Sequence, residues 1–221
     1  GYLAFNAGPY FDFQLGYDKN FIGDGYRSLL ISDNAFNYPY LKITAKFWHI
    51  NYMVIYSQMM DINFKWSEDL GFAKKWTTTH YLSWAASKRF SIGLFESIVW
   101  QTQDSTGYRG FDPGYLNPII FLRPVEYSNG QGSDNALIGL NMSFIVGKHN
   151  TFYGQIILDE FRINDFRDNP GSWANKFGWQ LGFKSFNIFR IKNLYFQTEF
   201  NWVRPYTYAH SAAITNYGHY N

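Results

Sequence analysis

The sequence predicts an all-β fold: an antiparallel transmembrane β-barrel of the outer-membrane kind, present as an incomplete segment of about nine to ten strands. Three observations lead there. Apolar and polar residues alternate through most of the chain, short connections alternate with long ones, and Phe, Trp and Tyr make up 22% of the 221 residues. Successive side chains on a strand point to opposite faces, so period two gives each strand one greasy and one polar side. Strands of that kind cross a bilayer with only alternate residues apolar.

Five stretches alternate cleanly. Phe11, Phe13, Leu15 and Tyr17 oppose Asp12, Gln14 and Gly16; Leu41, Ile43, Ala45 and Phe47 oppose Lys42, Thr44 and Lys46. Ala136, Ile138, Leu140, Met142, Phe144 and Val146 face away from Gly139, Asn141 and Ser143. Phe177, Trp179, Leu181 and Phe183 oppose Gly178, Gln180, Gly182 and Lys184, and the residues from Leu194 to Trp202 repeat the pattern. Four rougher strands fall at about 52–60, 76–86, 90–100 and 152–159. Glu96 stands in line with Phe90, Ile92, Leu94 and Ile98, which calls for a bulge or for an inward-pointing carboxylate, since a lipid-facing one is costly.

The connections His49–Asn51, Ser87–Arg89, Gly147–Asn150 and Ser185–Lys192 are short, whereas about 18–39, 61–75, 101–135 and 160–175 are long, as is the tail beyond Arg204. Segregation of loop length to one end separates an outer-membrane barrel from a soluble sandwich. A short helix over Ser67–Lys75 is expected inside one long loop, because Glu68 and Asp69 follow a capping serine. Nine strands is an odd count, so either a strand is undetected or the barrel is incomplete. The lack of a leader before Gly1 and the ending at His219–Tyr220–Asn221 favour the second. One barrel domain over 1–221 is expected, without separate domains.

Charge and cysteine content exclude more than they suggest. Lys and Arg number 19 against 17 Asp and Glu, without the basic block that a nucleic-acid partner needs. No cysteine occurs, so disulfides and thiolate metal sites are ruled out within this sequence. His210 and His219 lack the ligand spacing of a metal centre, and neither a serine elbow nor a phosphate loop is present, so no cofactor and no catalysis are expected.

The long loops hold the candidate binding residues. Asp18, Arg27, Tyr108, Arg109 and Asn117 supply aromatic faces and planar donors or acceptors, the chemistry that holds sugars. Arg123 and Glu126, with Tyr127 beside them, fit either a lumenal salt-bridge network or direct ligand contact. Asp159 and Glu160 are adjacent on a strand and point apart, which suits lumen polarity and pairing with Arg162 or Arg167 rather than acid–nucleophile catalysis. Arg204, Tyr206 and His210 follow the last strand, where tyrosines anchor a rim. The loops around 18–39 and 101–135 are expected to form a surface or lumen patch for an acidic glycan. The alternative is a porin-like channel or substrate-selective transporter, tuned by lumenal Lys42, Lys46 and Glu199.

The segment from Gly16 to Leu29, YLNPIIFLRPVEYS at 115–128, NALIGLNMSF at 135–144, YGQIILDEF at 153–161, NKFGWQLGFK at 175–184 and VRPYTYAH at 203–210 resemble the Wzi-like capsule-assembly proteins of the outer membrane. The flavour is that of the Bacteroidetes branch, linked to gliding motility and exopolysaccharide. The resemblance implies a larger barrel of about eighteen strands. It also implies attachment of capsular polysaccharide at the cell surface without catalysis, with outer-membrane lipid, surface polysaccharide and capsule-export or motility proteins as partners. The RPVEY, LDEF and RPYTYxH elements place Arg123, Glu126, Tyr127, Asp159, Glu160, Arg204, Tyr206 and His210 in family motifs without assigning them roles. The periplasmic helical part of capsule members has no counterpart in this sequence.

Overall fold

A computed structural model describes residues 1–67, 71–104, 107–119, 134–159, 175–210 and 213–219. Its strands are β1 (Tyr2–Ala7), β2 (Phe11–Asp18), β3 (Tyr38–Phe47), β4 (Ile50–Ser67), β5 (Gly71–Trp84), β6 (Phe90–Gln101), β7 (Gln103–Asp104), β8 (Gly107–Tyr108), β9 (Asn135–Val146), β10 (Asn150–Asp159), β11 (Lys176–Phe186) and β12 (Tyr195–Val203). Ten of them form one antiparallel sheet in which every strand lies beside its neighbour in sequence, with the β7–β8 ribbon set between β6 and β9. Among the described residues there is no α-helix, and β1 and β12 do not pair with each other, so the sheet stays open.

Three expectations change. A tenth strand, β1, makes the count even; its six residues are mostly apolar on both sides, which weakens the period-two signal. Residues 61–75 are not one long loop, because β4 runs to Ser67 and β5 starts at Gly71. Residues 71–75 are extended, which removes most of the helix expected there. Register shifts between Asp61 and Lys65 and again before Ser67 break the alternation that would have revealed the long hairpin.

Directly paired residues of antiparallel strands share a face. One row runs Lys42, Ile55, Thr79, Ser97, Leu137, Asp159, Lys176 across β3 to β11. On the other face a row runs Phe90, Phe144, Phe152, Phe183, and the next but one runs Leu82, Leu94, Leu140, Ile156, Trp179, Trp202. Much of this second face is bare: Leu181 is 61% exposed, Phe200 57% and Phe152 50%.

The polar face is concave, as chain length requires. Eight strand steps separate β2 from β12, about 38 Å in a flat sheet. Tyr26 nevertheless donates its N–H to Glu199 on β12 over 2.9 Å. Only eight residues join Asp18 to Tyr26, a reach of about 29 Å when fully extended. The target is also displaced along the strands: Gly16 lies in the row of Val99 and Glu199 in the row of Ser91, eight residues apart on β6. The sheet must curl round residues 19–37 for that contact to exist.

Glu96 meets neither expectation drawn from the sequence. The β5–β6 register is unbroken, so there is no bulge, and Glu96 stays on the convex face opposite His80. Both are fully buried. Residues 109–119 lie over this part of the wall as an external strap. Thr78 Oγ1 donates to the Tyr115 carbonyl at 3.2 Å and Tyr56 Oη to that of Leu116 at 2.9 Å. Tyr52 Oη donates to the Pro118 carbonyl and also meets His80 Nδ1. Tyr115 packs on Trp100, ring centres 4.6 Å apart, and Phe111 wedges edge-on against Trp76 and Trp100.

Candidate functional site

The concave face is filled by two segments, and the wall is built to hold their backbones. Glu199 Oε2 and Oε1 accept the N–H groups of Tyr26 and Arg27 at 2.9 and 3.2 Å, and Oε2 also takes the Tyr153 hydroxyl. Gln155 accepts from the Leu29 N–H at 2.7 Å and donates to the Ile22 carbonyl and to Asn141. Gln180 donates to the Arg27 carbonyl at 2.9 Å, and Lys184 to that of Asp24 at 3.0 Å. Loop backbone away from water needs such partners. Gly25 is required at the closest approach: a Cβ there would lie 2.3 Å from Glu199 Oε2 and 2.8 Å from the Arg27 carbonyl. Leu29, Leu30 and Ile31 then pack with Ile55, Phe95, Leu137 and Ile157 of the wall.

The second segment, residues 204–210 and 213–219, runs from the end of β12 to contacts with β4. Lys176 Nζ donates to the Ala209 carbonyl at 2.7 Å, Lys75 Nζ to that of Asn216 at 2.9 Å, and Asn135 to that of Thr215 at 3.1 Å. His219 Nδ1 accepts the Met60 N–H at 3.0 Å, while its Nε2 lies 3.2 Å from the Asn37 carbonyl. That pairing fits a neutral ring with the proton on Nε2. Burial holds the His219 imidazole below its ordinary range, and burial likewise raises the phenols of Tyr208 and Tyr217.

Between the two segments, at the long-loop end, opens a cleft of about 350 Å³ lined by Leu29, Phe36, Tyr38, Tyr208, Tyr217 and His219, with Asn34 also on its wall. Phe36 is 67% exposed. Tyr208 is fixed at both ends, its hydroxyl donating to the Leu29 carbonyl at 2.9 Å and its N–H to Asp159 Oδ2 at 3.1 Å. At the rim, the Arg27 guanidinium sits 5.0 Å from the centre of the exposed Tyr26 ring and donates to Asn34 Oδ1. An aromatic floor with an arginine–amide pair at its edge can stack a pyranose ring and bind a carboxylate.

Of the residues singled out in the sequence, Arg27 and Asp159 border this cleft without lining it, the first bonded to Asn34 at its rim and the second as the anchor of Tyr208. Asp18 lies at the end of β2, where it accepts the Lys19 N–H at 2.9 Å and faces the Gly1 amino group at 3.5 Å. His210 Nδ1 meets Thr215 Oγ1 at 2.9 Å and braces the second segment. Tyr206 is exposed, and the Arg204 guanidinium stands 5.6 Å over the Phe177 ring, towards the convex side.

Tyr108, Arg109 and Asn117 lie elsewhere. Tyr108 is exposed on β8. Arg109 grips both oxygens of Asp134 at 2.8 and 3.0 Å and Asp112 at 2.8 Å, and the Tyr115 hydroxyl closes the network on Asp134 at 2.6 Å. Burial opposes the guanidinium charge there, but the hydrogen bonds to Asp134 and Asp112 outweigh it and raise the pKa. Asn117 Oδ1 accepts the Ile119 N–H at 3.1 Å. These groups secure the strap on the convex face, so residues 109–119 and 19–37 lie on opposite faces and do not form one patch. Arg123, Glu126, Tyr127 and Glu160 lie outside the described residues.

The residues that seat the first segment, Gln155, Gln180 and Asn141, drew little notice in the sequence. Period two puts them on the polar face, but nothing local says that they meet backbone rather than water. No family model, curated protein or solved structure matches the chain.

Proposed function

We propose that this chain is wall and filling of an outer-membrane β-barrel that binds a surface polysaccharide without turning it over. The cleft between residues 28–36 and Tyr208, Tyr217 and His219 is the contact site. The observation that carries the reading is the aromatic cleft with Arg27 and Asn34 at its rim, opening at the end where the long links lie. A rim guanidinium favours an acidic glycan. The convex face supports the membrane part: Leu181, Phe200 and Phe152 stand bare, and each such side chain gains roughly 1.5–3 kcal/mol on leaving water. The likeness of its motifs to Wzi-like capsule-assembly proteins points the same way, towards capsule or exopolysaccharide attachment and the gliding-linked Bacteroidetes branch. A passive porin fits less well, since residues 19–37 are bonded to strands on both sides of the lumen.

Binding of an anionic capsular polysaccharide to the detergent-purified protein tests this reading. Arg27→Ala and Phe36→Ala are each expected to weaken it about tenfold, the worth of about 1.4 kcal/mol. Unchanged affinity in both variants would remove the cleft from consideration.

A further inference from the structure

Beneath residues 19–37, on the side facing the short turns, lies a second cavity of about 240 Å³ lined by Asp24, Asn51, Tyr81, Ser83, Ser91 and Asn141. We infer that it binds one neutral polyhydroxylated unit of hexose size, distinct from the ligand of the upper cleft.

Its polar groups are fixed in place before any ligand arrives. Asn141 is 5% exposed; its Nδ2 donates to Asp24 Oδ2 at 2.7 Å and to Tyr81 Oη at 3.2 Å, and its Oδ1 accepts from Gln155 at 3.1 Å. Both bonds that its Nδ2 donates aim Asp24 and Tyr81, while Gln155 holds its Oδ1. The Tyr81 ring lies flat on Gly93, where a Cβ would fall 2.2 Å from the hydroxyl oxygen, so that only glycine lets the phenol lie down. Tyr81 Oη accepts from Asn141 and is also hydrogen-bonded to the Ser83 side chain, so the two hydroxyls stand together on the lining. Ser91 shares a hydrogen bond of 2.9 Å with Ser143. Carboxylate, amide and hydroxyl groups set at fixed angles recognise vicinal hydroxyls, and Phe21 on the same lining supplies an apolar surface for a ring face.

Size and charge narrow the ligand. The space is smaller than the roughly 300–1,000 Å³ of drug-sized sites, which limits the occupant to a single small ring. Among the described residues neither lysine nor arginine lines it and the one charge on the lining is the Asp24 carboxylate, Lys184 lying behind it with its Nζ on the Asp24 carbonyl. An anionic sugar would meet like charge there, which costs affinity. The upper cleft has an arginine at its rim, so the two sites differ in the charge they accept. This inference rests on the barrel reading of the wall and not on the acidic-glycan cleft.

Saturation-transfer NMR on the detergent-purified protein tests it, with D-glucose, N-acetyl-D-glucosamine and D-glucuronate as probes. Transfer is expected to at least one neutral sugar, with glucuronate at least tenfold weaker; Asp24→Asn should narrow that gap, and Ser83→Ala should lower neutral-sugar binding several-fold. Ser83 has no bond to residues 19–37, so its variant leaves them seated, and tryptic resistance at Arg27 verifies the same for Asp24→Asn. No transfer from either neutral sugar, glucuronate bound as well as glucose, or indifference to Ser83→Ala overturns the proposal. Arg27→Ala should leave hexose binding intact while reducing anionic polysaccharide binding, so failure at one site is readable apart from failure at the other.

Discussion

Glu199 gathers two backbone N–H groups, the Tyr153 hydroxyl and the Asn201 amide at 2.8 Å, so it acts as a socket for residues 25–27. Its removal leaves those N–H groups without a partner against the wall, at about 1–3 kcal/mol for each that water fails to reach. Glu199→Ala should therefore free the segment. The readout is trypsin cleavage after Arg27, which is expected to rise at least tenfold in rate; unchanged cleavage would mean that the socket is dispensable. Gly25→Ala should act alike through the clash of its methyl group with the same carboxylate. None of this is visible in sequence. Glu199 reads there as one lumenal charge in an alternating strand, and the backbone N–H groups it holds lie more than 170 residues away.

At the scale of elements, the strap and the second segment show two ways of fixing irregular backbone to a sheet. The strap relies on wall hydroxyls from Tyr52, Tyr56 and Thr78 and on the Arg109–Asp134 pair. Asp134→Ala leaves the guanidinium with Asp112 alone and the Tyr115 hydroxyl without its acceptor, a loss of about 1–3 kcal/mol. A red shift of the emission from Trp100, fully buried beneath Tyr115, should report the lifting of the strap. The second segment carries a pH dependence through His219. Its folded form is neutral and its pKa is held below the ordinary value of about 6.5. Its contribution is therefore intact above that value and is lost as pH falls through the lower folded-state pKa. Amide protection over 213–219, taken relative to the intrinsic exchange rate at each pH, should fall between pH 7.5 and pH 5, and His219→Gln should flatten the change.

Legibility differs by element for physical reasons. Strands such as 177–183 could be read because each has one face that favours apolar side chains and one that favours polar ones. β1 lacks the polar face and so escaped notice, and the hairpin of β4 and β5 was hidden by its register shifts. Arg109 read as a binding residue because a loop arginine looks the same whether its carboxylates come from a ligand or from Asp112 and Asp134. Where a loop lands depends on curvature, which belongs to the whole sheet and leaves no mark on six consecutive residues.

For the whole molecule, the contrast between the two faces makes a testable map. Nitroxide labels at Leu181→Cys and Phe200→Cys in liposomes should be relaxed by oxygen and shielded from a polar nickel reagent, whereas labels at Tyr26→Cys and Phe36→Cys should behave the other way. Equal access to the polar reagent at all four sites would end the membrane reading. The open edges at β1 and β12 fit the same picture, since edge groups in hydrocarbon need a strand from elsewhere.

The reach of residues 19–37 to β12 also sets a chronology. Within the ten-stranded sheet the strands pair in chain order, with only the β7–β8 ribbon skipped between β6 and β9, so the wall can zip up in sequence. The socket for Tyr26 and Arg27 does not exist until the last strand has joined and the sheet has curled. That last anchor is therefore set after the wall is raised, and a chain halted before Tyr195 would keep the Gln155, Gln180 and Lys184 holds on residues 22–29 but leave the N–H groups of Tyr26 and Arg27 unclaimed.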